Sequence, residues 1–129
     1  MRIEEAARAL RYEFFEQTAD NVGAEYILTA HTADDNAETM LLNLARGTGL
    51  NGLCGIKRSR GRILRPIFDV SREQIEEFLE ANGIEYVEDS SNALDIYNRN
   101  LIRHKIIPVL CQINPEFIRA SKRASDLLM

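Results

Sequence analysis

The chain has few of the residues that build covalent or metal-bound scaffolds. Its 129 residues contain no tryptophan, three prolines and two cysteines, Cys54 and Cys111. These cysteines form no Cys-x-x-Cys pair, so we expect reduced thiols in a cytoplasmic protein. No apolar run approaches the roughly 20 residues that span a bilayer, so we expect no membrane partner. Acidic residues interrupt the N-terminus MRIEEAARALRYEF, which therefore lacks the pattern of a secretory signal.

Charge is divided into blocks along the chain, although the net charge is only −4. Residues 57–72 carry six positive charges and one negative, whereas residues 73–95 carry eight negative charges and no positive one. Residues 96–129 return to six positive and two negative charges. Such blocks can present basic patches to a nucleic acid on an acidic protein, or they can be solvated helix faces.

A strand–turn–helix unit is predicted in the first half of the chain. Helical spacing before it places Leu10 and Phe14 on one face. The run AEYILTA at 24–30 is typical of a buried parallel strand. Helical spacing returns at 33–46, and we expect its inward stripe at Ala37, Leu41 and Leu44.

The second half predicts a short strand and then mostly helices. A strand within 60–71 ends at Pro66, and Ser71 with Gln74 forms a capping box for the next helix. A helix through 99–110 should be interrupted near Pro108, and Asn114 with Pro115 should open the last one. The order of elements predicts an α/β layer followed by a helical extension. We expect one domain over 1–129, with an α/β part at 1–70 and a substrate-side α/β and helical part at 71–129.

The stretch TAHTADDNAET (29–39) concentrates chargeable side chains directly after the predicted strand. His31 would lie at the carboxyl end of that strand, where open α/β sheets bind ligands. Asp34 and Glu38 share a helical face, while Asp35 points about 100° away. This arrangement favours the edge of a binding site over a closed zinc cage, because the chain has only two histidines. Ordinary acids at a helix N-terminus are the alternative.

Two further stretches have a functional and a structural interpretation. The glycine-rich loop RGTGLNGLCG (46–55) can let a ligand approach the backbone, or it can be a plain connector. In EDSSNALDIYNRNLIRHK (88–105), Arg99 and Arg103 share a helical face that suits phosphate. Pairing of these arginines with Asp89 or Asp95 inside the chain is the alternative.

The order of the motifs is more specific than any one of them. HTADDNAETMLLNLARGTGLNGLCGI, then ILRPIFDVSREQIEEFL, then EDSSNALDIYNRNLIRHKIIPVL closely resembles the tRNA(Ile)-lysidine synthetase family of N-type PP-loop ATP pyrophosphatases, over nearly the whole chain. The resemblance implies a partial Rossmann-like fold of the adenine-nucleotide alpha hydrolase type. It also implies an enzyme that uses ATP and Mg²⁺ to adenylate the C2 carbonyl oxygen of the wobble cytidine in a tRNA(Ile) with a CAU anticodon, with release of pyrophosphate. Free lysine then displaces AMP to give lysidine.

The resemblance also implies roles for particular residues. The candidate catalytic residues are His31, Asp34, Asp35, Glu38 and Arg103. The candidates for binding substrate or nucleotide are Gly47, Gly49, Gly52, Asp89, Asn92, Arg99 and Asn100. The candidates for following tRNA phosphates are Lys57, Arg58, Arg60, Arg62 and Arg65.

The chain departs from the family in lacking the Ser-Gly-Gly-x-Asp-Ser phosphate loop. We therefore expect a fragment of the enzyme that cannot form lysidine alone, and a homodimer is one way to cover its unpaired strand edge. A PP-loop tRNA thiolase is the nearest alternative, disfavoured because the chain has no Cys-x-x-Cys pair. A non-catalytic RNA-binding module built on 57–65 and 99–123 is the alternative from a different class.

Overall fold

The computed structural model describes residues 3–86 and 94–128. These ranges contain seven α-helices, a π-helical segment and three short strands. In chain order they are α1 (Ile3–Val22), β1 (Ile27–Leu28), α2 (Ala33–Arg46), α3 (Leu50–Leu53), β2 (Ser59–Arg60), β3 (Ile63–Leu64), α4 (Arg72–Ala81), α5 (Leu94–Leu101), the π segment (Ile102–Ile106), α6 (Ile107–Ile113) and α7 (Phe117–Leu128). No helix within the described residues is both long and apolar enough to cross a bilayer.

The sheet is small and only partly parallel. β1 pairs in parallel with β3, with Ile27 opposite Ile63, and β2 pairs antiparallel with β3. The strand order is β1-β3-β2, so β1 lies at the edge of the described sheet. The parallel strand predicted at 24–30 is therefore found, but its predicted burial is wrong for Leu28, which is 65% exposed. An edge strand buries fewer side chains than a strand covered by neighbours.

Helix α2 carries the centre of the hydrophobic core. Its predicted bounds are confirmed, and Thr32 caps it in a capping box with Asp35. Ala37 is fully buried as predicted, but Leu44 is 59% exposed and Leu42 is buried instead. Leu42 and Ala37 pack against Ile102 and Ile107. The buried face of α2 therefore differs from the predicted one, because α5, the π segment and α7 all pack against this helix.

The chain returns from β3 to the N-terminus of α2, where α4 begins. The backbone N–H of Ala33 donates to the carbonyl of Val70 (2.9 Å), and the backbone N–H of Arg72 donates to Asp34 Oδ1 (2.6 Å). The predicted capping box of Ser71 starts α4. Two helix N-termini therefore lie side by side next to acidic side chains, which their dipoles stabilise.

The predicted interruption before Pro108 is a π-helical turn at 102–106. The N–H of Ile107 donates to the carbonyl of Ile102, five residues back. Pro108 lies in the first turn of α6 and has no N–H to donate. The start of α7 differs from the prediction, since the helix begins at Phe117 rather than at Pro115. Asn114 Oδ1 accepts from the N–H of Glu116 (3.0 Å), a turn that precedes the helix.

Gly55 offers a stability test with a built-in control. Its φ is +77°, and an added Cβ would collide with Asn36 Oδ1 and lie 2.8 Å from Met40 Cγ. Gly23 has a similar φ of +73°, with nothing within 4 Å of an added Cβ. We expect Gly23→Ala to cost about 1–2 kcal/mol of unfolding free energy from backbone strain alone. Gly55→Ala should cost about 1–3 kcal/mol more because of overpacking. Urea unfolding of both variants measures the difference, and equal midpoints would contradict the packing at Gly55.

Candidate active site

Glu38 is the centre of a buried group of charges. Its side chain is 0% exposed. Arg103 donates two hydrogen bonds to it, from Nε to Oε2 (2.9 Å) and from Nη2 to Oε1 (3.0 Å). Arg72 Nη1 donates to the same Oε2 at 3.4 Å. The hydrogen bond to Glu38 raises the pKa of Arg103 above its usual value in spite of burial. A buried carboxylate is thus held between two permanently charged guanidinium groups.

Arg72 connects Glu38 with the two aspartates of α2. Its Nη2 donates to Asp35 Oδ1 (3.3 Å), and its Nη1 lies 3.9 Å from Asp34 Oδ2. We call the five side chains of Asp34, Asp35, Glu38, Arg72 and Arg103 the Glu38 cluster. Its three carboxylates and two guanidinium groups leave one net negative charge. The cluster therefore suits an additional cation better than an additional anion.

His31 lies at the carboxyl end of β1 with its Nδ1 facing the protein. Thr29 Oγ1 is 2.9 Å from Nδ1, and Arg65 Nε donates to it at 3.3 Å. A guanidinium can only donate, so Nδ1 accepts and the ring proton is assigned to Nε2. Burial lowers the pKa of His31, and the charge of Arg65 lowers it further. His31 is therefore a neutral imidazole that offers an N–H from Nε2.

Arg65 is a buried cation that holds this histidine in place. Its side chain lies in the interior, with the residue only 4% exposed. Nη1 donates to the carbonyl of Lys57 (2.8 Å), and Nη2 donates to the Tyr12 hydroxyl (3.4 Å). All of these partners are neutral, so Arg65 contributes a positive field next to His31.

A cavity of about 600 Å³ opens beside the end of β1. His31, Thr29, Asp35, Arg11 and Tyr12 are among its lining residues. This volume falls in the usual range of about 300–1,000 Å³ for small-molecule sites. Among the residues that the structure describes, no group of three or more His, Cys, Asp or Glu side chains converges on a metal position.

A second cavity, of about 330 Å³, lies between α4 and α7. Lys122 lines it and already bonds to Asp126 (2.5 Å) and to Asp69 (3.3 Å). The charge of Lys122 is therefore compensated by two carboxylates of the protein.

Comparison with known proteins places this geometry in a family. A family model described as a PP-loop domain matches residues 1–110. The chain belongs to the PP-loop domain family. Its sequence is 50% identical over 128 residues to the tRNA(Ile)-lysidine synthase of Porphyromonas gingivalis, covering 98% of this chain and 28% of that protein. It is 47% identical over 123 residues to the tRNA(Ile)-lysidine synthase of Thermosipho africanus, covering 95% and 29%.

The fold of this PP-loop domain is also found in a solved structure. The U34-tRNA thiolase NcsA from Methanococcus maripaludis, with its [4Fe-4S] cluster, superimposes with a TM-score of 0.73 at 16% identity. The match covers 99% of this chain and 44% of that protein, and it confirms the predicted α/β fold. The chain spans less than a third of the length of the curated relatives named above.

The PP-loop domain brings together most of the predicted catalytic residues. Four of them meet in the Glu38 cluster, namely Asp34, Asp35, Glu38 and Arg103. His31 lies close to Asp35, and the negative charge of Asp35 partly offsets the lowering of the pKa of His31. Arg103 pairs with Glu38, and Asp89, one of its predicted partners, lies outside the described residues. Their catalytic roles stay predictions.

The predicted substrate-binding residues are dispersed. Asp89 and Asn92 lie outside the described residues. Arg99 is half-buried, near enough to His31 to lower its pKa, and Asn100 is half-buried beside it on α5.

The predicted glycines lie between α2 and α3 or within α3. Gly47 follows α2 and Gly49 caps α3, while the carbonyl of Gly52 accepts from Asn43 Nδ2 (3.0 Å). Close approach of a ligand to these glycines stays a prediction.

The five residues predicted to follow tRNA phosphates occupy different environments. Arg58 makes two 2.7 Å hydrogen bonds to Asp69, and Arg62 pairs with Glu16 and Asp20. Arg65 is buried, as described above, which argues against a direct phosphate contact. Lys57 and Arg60 are exposed, and no carboxylate pairs with them in the described part of the chain. RNA binding by these residues stays a prediction. The geometry favours it for Lys57 and Arg60, because their side chains are exposed.

Sequence reasoning missed Arg72 and Tyr12. Arg72 contacts all three acids of α2, and Tyr12 lines the cavity and accepts from Arg65. A signal for Arg72 was present, because it follows the N-cap Ser71 and is the last positive residue before the acidic block. Nothing in the sequence places α4 beside α2, so that signal could not be used.

Proposed function

We propose that this chain is part of the catalytic domain of an ATP-dependent ligase that joins lysine to the wobble cytidine of a tRNA(Ile) with a CAU anticodon, forming lysidine. The direct contact between Glu38 and Arg103 supports this most strongly. It joins two motifs, 65 residues apart, that together carry the resemblance to lysidine synthetases. Identity of about 50% to relatives of that name extends over both motifs.

Adenylation of the cytidine requires stabilisation of the negative charge that develops on the phosphates as pyrophosphate leaves. The Nε2–H of His31 is a donor at the end of β1, where open α/β sheets hold their ligands. The cavity beside it has the volume for a nucleotide. We therefore assign ATP to this cavity. Mg²⁺ would be bound through the ATP phosphates, whose charge it would neutralise, because the described residues offer no converging set of ligands.

Lysine binding requires an acidic environment for its cationic amine. The Glu38 cluster has one uncompensated negative charge, and Asp35 connects it to the cavity. The ε-amine must lose its proton before it attacks the activated C2 carbon. Asp34 and Asp35 are the candidate proton acceptors because both are partly exposed, whereas Glu38 is enclosed by guanidinium groups.

The remaining partners follow from this assignment. A tRNA-modifying ligase works in the cytoplasm, where its tRNA, ATP and free lysine are found.

We also propose a homodimer. β1 has an unpaired outer edge in the described sheet, and the neighbouring Tyr26 and Leu28 are exposed. Light scattering that shows a strict monomer at micromolar concentration would contradict the dimer.

Formation of lysidine tests the proposal directly. The full-length protein is incubated with radiolabelled lysine, ATP, Mg²⁺ and a CAU-anticodon tRNA(Ile) transcript, and label in acid-precipitable RNA is measured. We expect incorporation that requires ATP, and none with the isolated chain 1–129. A transcript with a CAU-to-GAU change is the control and should stay unlabelled. Incorporation of sulfur instead of lysine would favour a thiolase, and tRNA binding without any modification would favour a non-catalytic RNA-binding protein.

A further inference from the structure

Four arginines surround a single tyrosine next to the proposed nucleotide cavity. The guanidinium carbons of Arg8, Arg11 and Arg60 lie 5.5, 5.9 and 5.6 Å from the centre of the Tyr12 ring. Arg65 donates to the hydroxyl of the same tyrosine (3.4 Å). We call these five residues the Tyr12 arginine cluster.

The cluster is built from one helix face and one hairpin. Arg8, Arg11 and Tyr12 have the three- and four-residue spacings that bring side chains together on α1. Arg60 ends β2, and Arg65 follows β3. The hairpin thus carries two arginines to the face of α1 that bears the other two.

The charges of this cluster are not neutralised by the residues that the structure describes. No carboxylate of the described residues pairs with any of the four arginines, whereas the neighbouring Arg58 and Arg62 pair with Asp69, Glu16 and Asp20. The face of the tyrosine ring attracts the cations. It does not cancel the repulsion among four like charges. An external anion would do so.

We propose that the Tyr12 arginine cluster binds backbone phosphates of the RNA substrate. This inference rests on the proposed function and assigns it a binding surface. Arg8, Arg11 and Arg60 are exposed and spread over two elements, which suits a polyanion better than a single small anion. Arg11 and Tyr12 also line the cavity that contains His31, so an RNA strand on this surface would deliver a base to the cavity.

Arg65 couples this surface to the candidate active site. It donates both to Tyr12 and to His31 Nδ1, and it is the one arginine of the cluster that is buried. Its role in the cluster is to position the tyrosine ring, while the three exposed arginines contact phosphate.

Salt-dependent RNA binding by the full-length protein tests the proposal. Fluorescence anisotropy with a labelled anticodon stem-loop is measured from 50 to 300 mM KCl for Arg8→Gln, Arg11→Gln, Arg60→Gln and the triple variant. Each loss should weaken binding roughly threefold to tenfold and reduce the slope of log K against log salt by about 0.7–0.9. Arg119→Gln is the matched control. It removes the same charge from α7, where Arg119 is exposed and pairs with Glu116 just before the helix, and it should leave affinity and slope unchanged.

Two substitutions of Tyr12 distinguish the role of its ring from the role of its hydroxyl. Tyr12→Phe keeps the ring and should retain RNA affinity, whereas Tyr12→Leu should weaken binding because the arginines lose their common platform. A triple arginine variant that melts like the wild type and binds RNA with unchanged affinity and slope would overturn the proposal. Weakened binding of ATP with unchanged binding of RNA would also overturn it, by assigning the cluster to the nucleotide. If the cluster variants lose RNA binding in a protein that forms no lysidine, the RNA surface stands and the proposed activity fails.

Discussion

Replacing Glu38 by glutamine is expected to destabilise the protein by about 2–4 kcal/mol and to abolish the proposed lysidine formation. Removing one partner of a fully buried ion pair costs about 3–5 kcal/mol, because the other charge is left uncompensated. The lower range applies here, since the side chains of Arg103 and Arg72 are 34% and 32% exposed and water can screen them. Urea unfolding of the chain gives the change in stability, and radiolabelled lysine incorporation by the full-length protein gives the activity.

Asp69→Asn is the matched control for Glu38→Gln. It makes the same acid-to-amide change at a side chain that is more than half exposed. Its partner Arg58 is also more than half exposed, and its second partner, Lys122, keeps an ion pair with Asp126. The hydrogen bond from Arg58 lowers the pKa of Asp69 to about 2, yet an exposed pair of this kind contributes under about 1 kcal/mol. Equal midpoints for the two variants would show that the Glu38 cluster does not stabilise the fold.

His31→Ala is expected to reduce kcat for lysidine formation by about 10²–10³, the usual loss for one preorganised hydrogen-bond donor at a developing charge. His31→Gln should recover part of the rate because an amide also offers an N–H. Lysine incorporation by the full-length protein under single-turnover conditions is the measurement. A rate that is unchanged in His31→Ala would remove His31 from the mechanism.

The pH dependence distinguishes a neutral histidine from a protonated one. Burial and Arg65 place the folded pKa of His31 below 6.5, so the neutral form persists as pH falls to that value. We expect the rate to hold from neutral pH down to 6.5 and to fall below it, as the ring takes up a proton. The contribution of His31 to the free energy of unfolding also decreases as the pH falls. It is full above 6.5 and is lost as pH falls towards the folded pKa, because the unfolded chain binds the proton first. A rate that rises on acidification would show that the imidazolium is the active form.

Local signals in the sequence predicted the parts of the site that lie close together in the chain. The strand before His31, the helix that starts at residue 33 and the capping box at Ser71 all depend on residues within one or two turns. The placement of Asp34, Asp35 and Glu38 at one helix end follows from the helical repeat alone.

Contacts between distant segments could not be predicted in this way. Arg72 and Arg103 reach Glu38 from 34 and 65 residues away, and several other acids were equally plausible partners in the sequence. The exchange of Leu44 for Leu42 in the core depends on which helices pack against α2. Burial of Arg65 likewise depends on α1 lying over the hairpin, whereas its neighbours in the sequence favour an exposed basic patch.

The π-helical turn at 102–106 accommodates one more residue than an α-helical turn would. A π turn holds one residue more than an α turn, so every later side chain is rotated by about 100° relative to an uninterrupted helix. That rotation brings Ile107 into the core while Arg103 still reaches Glu38. Exposed positions such as His104 and Lys105 should accept many substitutions. Deletion of a single codon there would restore an uninterrupted α-helix in which Ile107 still faces the core, whereas insertion of one codon would turn α6 away from α2.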